Sequence, residues 1–213
     1  MKTLIAILLM IVSLTIPALS NDGKYVEAMQ KSIQTLYDAQ TPTDIQNAVN
    51  SIERIGSAEK TKWEPFYYAA FGYVRLAAKE TDGGKKDGLL DLAKISLEKA
   101  KALRKDDSEI VAMEGFITMV RITVDPATRG PQFAGLAMQT YQTALSLNPN
   151  NPRALGLLAN MQFGTSQFFN QAPTEACATA AKALALFAED GSENPLAPKW
   201  GKKMTEEVIL NCQ

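Results

Sequence analysis

Apolar residues along this chain recur three and four positions apart, and hardly ever two apart. Between residues 137 and 163, Ala137, Tyr141, Ala144 and Leu145 form one helical face, and Leu155, Leu158, Ala159 and Gln162 form another. The run Asn148-Pro149-Asn150-Asn151-Pro152 separates them, because neither proline fits a helix interior. Asn151 serves as the cap of the second helix, with Pro152 at its first position, where a missing N–H costs nothing.

The same period predicts nine helices. The first carries Tyr25, Ala28, Met29, Ile33, Leu36 and Tyr37, and the second opens at Thr41-Pro42-Thr43-Asp44 and closes at Gly56. The third, residues 61–79, is the most aromatic, and a polar glycine-rich loop is expected over 81–88. The fourth follows from Leu89, the fifth opens at Asp106-Asp107-Ser108-Glu109, and the sixth is expected to start at Gly130-Pro131. After the seventh, residues 164–171 read as a loop, Pro173 starts the eighth, and a last helix over 198–210 includes Trp200. Alternation fit for a strand is scarce, so the class is all-α.

An internal repeat runs through this pattern. Ile52/Ile55, Leu97/Ala100, Tyr141/Ala144 and Ala180/Ala183 mark the second helix of successive pairs, and Phe71-Gly72, Glu114-Gly115 and Leu158-Ala159 mark the first. The intervals are close to 44 residues except for the last, near 39. A small residue at that place lets the two helices of a hairpin approach closely. The stretch 137–163, with Ala137, Tyr141, Ala144, Asn148-Pro149 and Leu158-Ala159, resembles the tetratricopeptide (TPR) superfamily. The resemblance implies a TPR-like right-handed α-solenoid of about four antiparallel helix hairpins plus a C-terminal capping helix. The period exceeds the roughly 34 residues usual for TPR units, which is put down to enlarged loops inside the second, third and fourth hairpins.

Residues 1–20 read as a secretory signal peptide: Lys2 precedes a run of almost wholly apolar residues, and Ala18-Leu19-Ser20 offers small residues for cleavage. An uncleaved anchor is the alternative. Residues 21–213 then form one domain, exported to the periplasm or beyond after cleavage near Ser20. With 22 basic and 23 acidic residues, Lys2 among the former, the mature chain is close to neutral, which argues against nucleic acid and against electrostatic membrane docking. No later run is long enough to insert stably in a membrane. The two cysteines, Cys177 and Cys212, read as a disulfide in an exported protein, with free buried thiols as the alternative. A bond would tie the capping helix to the eighth and add about 3–4 kcal/mol.

The chain has no histidine. That removes His-based triads and the common zinc sites, and no Ser or Cys has a visible base, so no catalytic residue, metal or cofactor is expected. Lys85-Lys86 reads as a solvated pair, and Asp106, Asp107 and Glu109 as a helix start and not a calcium cluster. The TPR resemblance implies that the first helix of each hairpin lines a concave face. Carried across, it places Phe66, Tyr73, Leu76, Glu109, Phe116, Met119, Arg153, Asn160 and Phe163 there, with Trp63, Tyr67 and Phe71 in the core. The expected function is a non-catalytic adaptor that binds another protein or peptide through this groove. The alternative is a small-molecule or glycan-binding helical module.

Overall fold

The computed structural model describes residues 19–189 and 191–212, so the leader lies outside the described residues except for its last two positions. Among the described residues all regular structure is helical: α1 (Leu19–Asp38), α2 (Pro42–Ala58), α3 (Glu64–Lys79), α4 (Gly83–Leu103), α5 (Ser108–Ile122), α6 (Pro126–Leu147), α7 (Pro152–Phe168), α8 (Thr174–Glu189) and α9 (Lys202–Leu210). Side-chain caps set most of the starts. Thr41 accepts the N–H of Asp44, Asp107 those of Glu109 and Ile110, and Asn151 those of Arg153 and Ala154.

Each odd-numbered helix up to α7 pairs with the next, giving four hairpins, and α5 also touches both α3 and α7 along the inner side of the stack. The repeat marked by small residues has a direct structural counterpart. A Cβ on Gly72 would lie 2.3 Å from Val49 Cγ2, and one on Gly115 would lie 2.4 Å from Tyr141 Cε1. Tyr141 is fully buried, so its ring cannot yield. Gly115→Ala is therefore expected to lower stability by about 1–2 kcal/mol in urea denaturation, despite the better helix propensity of alanine. The ninth helix closes the stack by packing on α7 and α8. Gly156 permits that contact, since a Cβ there would fall 2.3 Å from Thr205 Oγ1.

Several boundaries differ from the sequence expectation. Gly56 lies inside α2, buried against Pro65 and the Phe66 ring, where the chain needs room and not a stop. The loop expected over 81–88 is only three residues long, because Asp82 accepts the Lys85 N–H and starts α4 at Gly83. The sixth helix starts at Pro126 under an Asp125 cap and passes through Pro131, and the seventh continues to Phe168. The long period thus comes from long helices, 21 residues in α4 and 22 in α6, and not from enlarged loops. Finally, residues 191–201 form no helix; they run as a strap between α8 and α9.

Candidate functional site

The strap fills the concave face. Trp200 is sandwiched between Phe71 and Phe116, with ring centroids 4.9 and 5.5 Å away and both pairs stacked at 19°. Its indole N–H donates to Tyr67 Oη at 3.1 Å, Tyr68 Oη donates to the Leu196 carbonyl at 2.8 Å, and the Lys199 N–H donates to Tyr37 Oη at 3.0 Å. Beneath the strap, Arg153 Nε donates to Glu109 Oε2 at 2.7 Å and its guanidinium lies over the Phe187 ring. Burial pushes the Glu109 carboxyl up, against the pull of Arg153, and pushes the Tyr67 and Tyr68 phenols up as well, so both tyrosines stay protonated donors. Gly201, at φ 102°, turns the strap into α9.

Of the nine residues assigned to the concave face, only Glu109, Phe116 and Arg153 gather beneath this strap. Tyr73 turns toward α2, where its hydroxyl donates to Glu53 at 2.9 Å, and Phe66 lies against Gly56 with Lys99 over its ring. Leu76 is core, Met119 accepts a contact from the Tyr141 hydroxyl at 3.7 Å, and Phe163 packs with Ala159, Ala180 and Val208 under α9. Asn160 is half-buried on α7. The inner face of α3 instead carries Tyr67 and Phe71, four apart, which the sequence assigned to the core. The register of α3 differs because Gly72 must face Val49 of α2, which turns the neighbouring Tyr73 toward that helix as well.

An open apolar groove lies elsewhere, between the first half of α6 and the last half of α7, with the end of α5 as its floor. Its volume is about 460 Å³, within the range of small-molecule sites. Met138 and Pro131 line it from α6, and Met161, Phe168 and Phe169 from α7 and its end. Those two phenylalanines are 61% and 62% exposed, more than all but one of the exposed large apolar side chains. They contact each other edge to face, with centroids 5.1 Å apart. A Cβ added to Gly130, Gly135 or Gly164 would meet no atom within 4 Å, so these glycines face open space and not a packed neighbour. A more open depression of about 630 Å³ between α1 and α2 mixes Lys31, Asn47 and Arg54 with small side chains and lacks such an apolar wall.

Local chemistry explains the position of the groove walls. Asn170, at φ 53°, ends α7: its N–H reaches the Gln167 carbonyl, and the Gln171 N–H reaches that of Ser166 at 2.8 Å. This left-handed stop sets Phe168 and Phe169 on the last turn. On the other wall, Arg129 grips Asp87 of α4 through two bonds of 2.8 and 2.7 Å, holding the early turns of α6 against the neighbouring hairpin. Arg121 adds bonds to Asp87 and Asp91, and the paired guanidiniums hold the Asp87 carboxyl below the usual range, Arg129 foremost. The sequence signal for this site was the pair Phe168-Phe169 in a stretch otherwise polar enough to read as a loop.

Cys177 and Cys212 are bonded, with Cα atoms 5.9 Å apart. A structural disulfide of this kind belongs to proteins that mature outside the cytoplasm. Among the described residues no helix is long and apolar enough to cross a membrane.

Fold and site together define an all-α stack of helix hairpins with its inner face closed in cis and one apolar groove left open. The HusA haemophore from Porphyromonas gingivalis has a solved structure similar to this chain, with a TM-score of 0.79 and 27% sequence identity over 89% of this chain and 92% of that one. No protein-family model matches the chain, and no curated protein does. The likeness to a haemophore overturns the adaptor expectation and favours the alternative, a small-molecule-binding helical module. The strap supplies a physical reason, since the face an adaptor would use already holds residues 196–200 of the same chain.

Proposed function

We propose that this chain is an exported carrier, not an enzyme, whose α6/α7 groove binds a flat and largely apolar ligand of the haem class. The observation that carries the reading is the exposed Phe168–Phe169 pair on the wall of a groove whose methionines, proline and glycines leave room for a ring. The likeness to a haemophore across nine-tenths of both chains supports the choice of ligand class. The leader and the disulfide support export to the periplasm or beyond with cleavage near Ser20, and the 44-residue recurrence supports a divergent TPR-like ancestry for the scaffold.

The sequence has no histidine, so nothing in it offers the usual imidazole ligand to a haem iron. The soft donor atoms among the lining side chains are the Met138 and Met161 sulfurs, which suit a weak contact, and the Thr123 and Thr165 hydroxyls are the hard ones. Retention therefore rests on burying the ring faces against Phe168, Phe169, Met138 and Met161. Iron-free protoporphyrin IX is expected to bind within several-fold of haemin, as measured by absorbance titration of each into the protein.

The double variant Phe168→Ser/Phe169→Ser is expected to weaken both ligands on the order of 100-fold. Each ring is only about three-fifths exposed, so burying the remainder is worth roughly 1–2 kcal/mol apiece, and every 1.4 kcal/mol is tenfold. Its unliganded stability should hardly change, because neither ring is part of the core. Unchanged affinity in that variant, or no binding of either porphyrin by the wild-type protein at micromolar concentration, would remove the proposal.

A further inference from the structure

The groove has a polar corner that the apolar walls do not explain. At its floor, Thr123 turns its hydroxyl out of the last turn of α5, donating to the Val120 carbonyl at 2.8 Å and accepting from Lys86 Nζ at 3.2 Å. Lys86, near the start of α4 in a separate hairpin, thus lies just outside the groove lining and meets it only through Thr123. That approach depends on Gly83, where a Cβ would sit 3.0 Å from Val124 Cγ1 in the turn that follows Thr123.

Around this corner the arginines are paired, while Lys86 and the exposed Lys85 have no ion pair among the described residues. Arg121 and Arg129 are neutralised by Asp87 and Asp91 at 2.7–3.0 Å. Asp82 and Asp125 cap α4 and α6 by taking the N–H groups of Lys85 and Thr128, and Glu80 takes those of Thr81 and Asp82. Among the described residues Lys86 is half-buried and has no carboxylate within ion-pair distance, and the Thr123 hydroxyl takes only one of its three donors. An ammonium with two unused donors and no carboxylate partner, beside the rim of an apolar cavity, is complementary to an anionic group on whatever fills that cavity.

We infer that Lys86, positioned by the Thr123 hydroxyl at the edge of the α6/α7 groove, is the carboxylate anchor of this site, so that the ligand it selects is an apolar ring bearing carboxylate side arms. The inference rests on the proposed porphyrin-binding reading and narrows it to ring acids over neutral ring esters. Thr123 is a positioning residue. Its own proton is committed to Val120, so its part is to fix the ammonium and not to bind the ligand.

Protoporphyrin IX and its dimethyl ester separate the anchor from the apolar groove, because they share the ring and differ in charge. Wild-type protein is expected to prefer the diacid about five- to tenfold, a preference that shrinks as salt is raised. Lys86→Glu should lose about tenfold on the diacid and at most about twofold on the ester, while Lys86→Arg keeps most of the preference. Thr123→Val should lower the preference without abolishing it. Thermal midpoints of the unliganded variants, close to wild type, would show that the fold is intact. Equal affinity of wild type for diacid and ester, or a Lys86→Glu loss of the same size on both, overturns the anchor while leaving the groove in place. No binding of either compound by the wild-type protein overturns the porphyrin reading and the anchor with it.

Discussion

Trp200→Ala is expected to cost about 3–5 kcal/mol of stability, the range for deleting a large buried aromatic side chain. The indole is 8% exposed and lies between two rings, so truncation leaves a cavity walled by Phe71 and Phe116 that neither can close without leaving its own helix. It also removes the donor to Tyr67 Oη, whose hydroxyl is then left with Glu109 Oε2 at 3.4 Å. In a protein of this size each kcal/mol moves the thermal midpoint by roughly 2–4 °C, so the melt should fall by about 10 °C. Trp200→Phe keeps one stacked ring and loses the N–H, and should fall between the two. If Trp200→Ala melts like the wild type, the strap is not part of the packed core and the concave face is open after all. Porphyrin affinity is a separate readout and should be nearly unchanged, because the α6/α7 groove does not include the strap.

Removing the disulfide should have an effect of similar size in a different place. The bond between Cys177 and Cys212 closes a loop of 35 residues, worth about 3–4 kcal/mol through the unfolded chain. That loop contains most of α8, the whole strap and α9, and α9 has only nine residues, too few to persist without its packing on α7 and α8. Cys177→Ser/Cys212→Ser is therefore expected to loosen the C-terminal end first. Hydrogen exchange should accelerate over 196–210 well before α1–α4 respond. Uniform acceleration along the chain would mean that the bond acts only on the unfolded state.

The packing of the strap bears on why the adaptor expectation failed. The all-α stack expected from the TPR likeness has an inner face, and Glu109, Phe116 and Arg153 lie on it. The same likeness carries no information about what covers that face in this chain. Trp200 looked like one more apolar residue of a last helix over 198–210, and only its stacking on Phe71 and Phe116, well over a hundred and over eighty residues earlier, shows it as a plug. Tyr67 and Phe71 were assigned to the core, and their burial was predicted correctly. What buries them is the strap.

The groove was the least legible part. Gly130, Pro131 and Gly164 are poor helix formers, so local propensity argues for loops at both of its walls. On the α6 wall helix persists because a long-range partner supports it, the Arg129–Asp87 pair across to α4, and α7 runs on past Gly164 until the local stop at Asn170. Lys86 was equally hidden. In sequence it is half of a solvated pair in a glycine-rich stretch, and its relation to Thr123 exists only once α4 and α5 lie side by side.

By itself, the sequence determined the all-α class, the order of four hairpins and a closing helix, the junction at Asn148–Pro152, the small residues where hairpins touch, and two cysteines at a spacing that a disulfide could use. All of these depend on period, capping and composition, which act over one or two helical turns or repeat at a fixed interval. The tertiary structure decided which faces stay open. That outcome turns on single contacts between distant segments, Trp200 on Phe116 and Arg129 on Asp87 among them, and no local pattern encodes which distant residue will arrive.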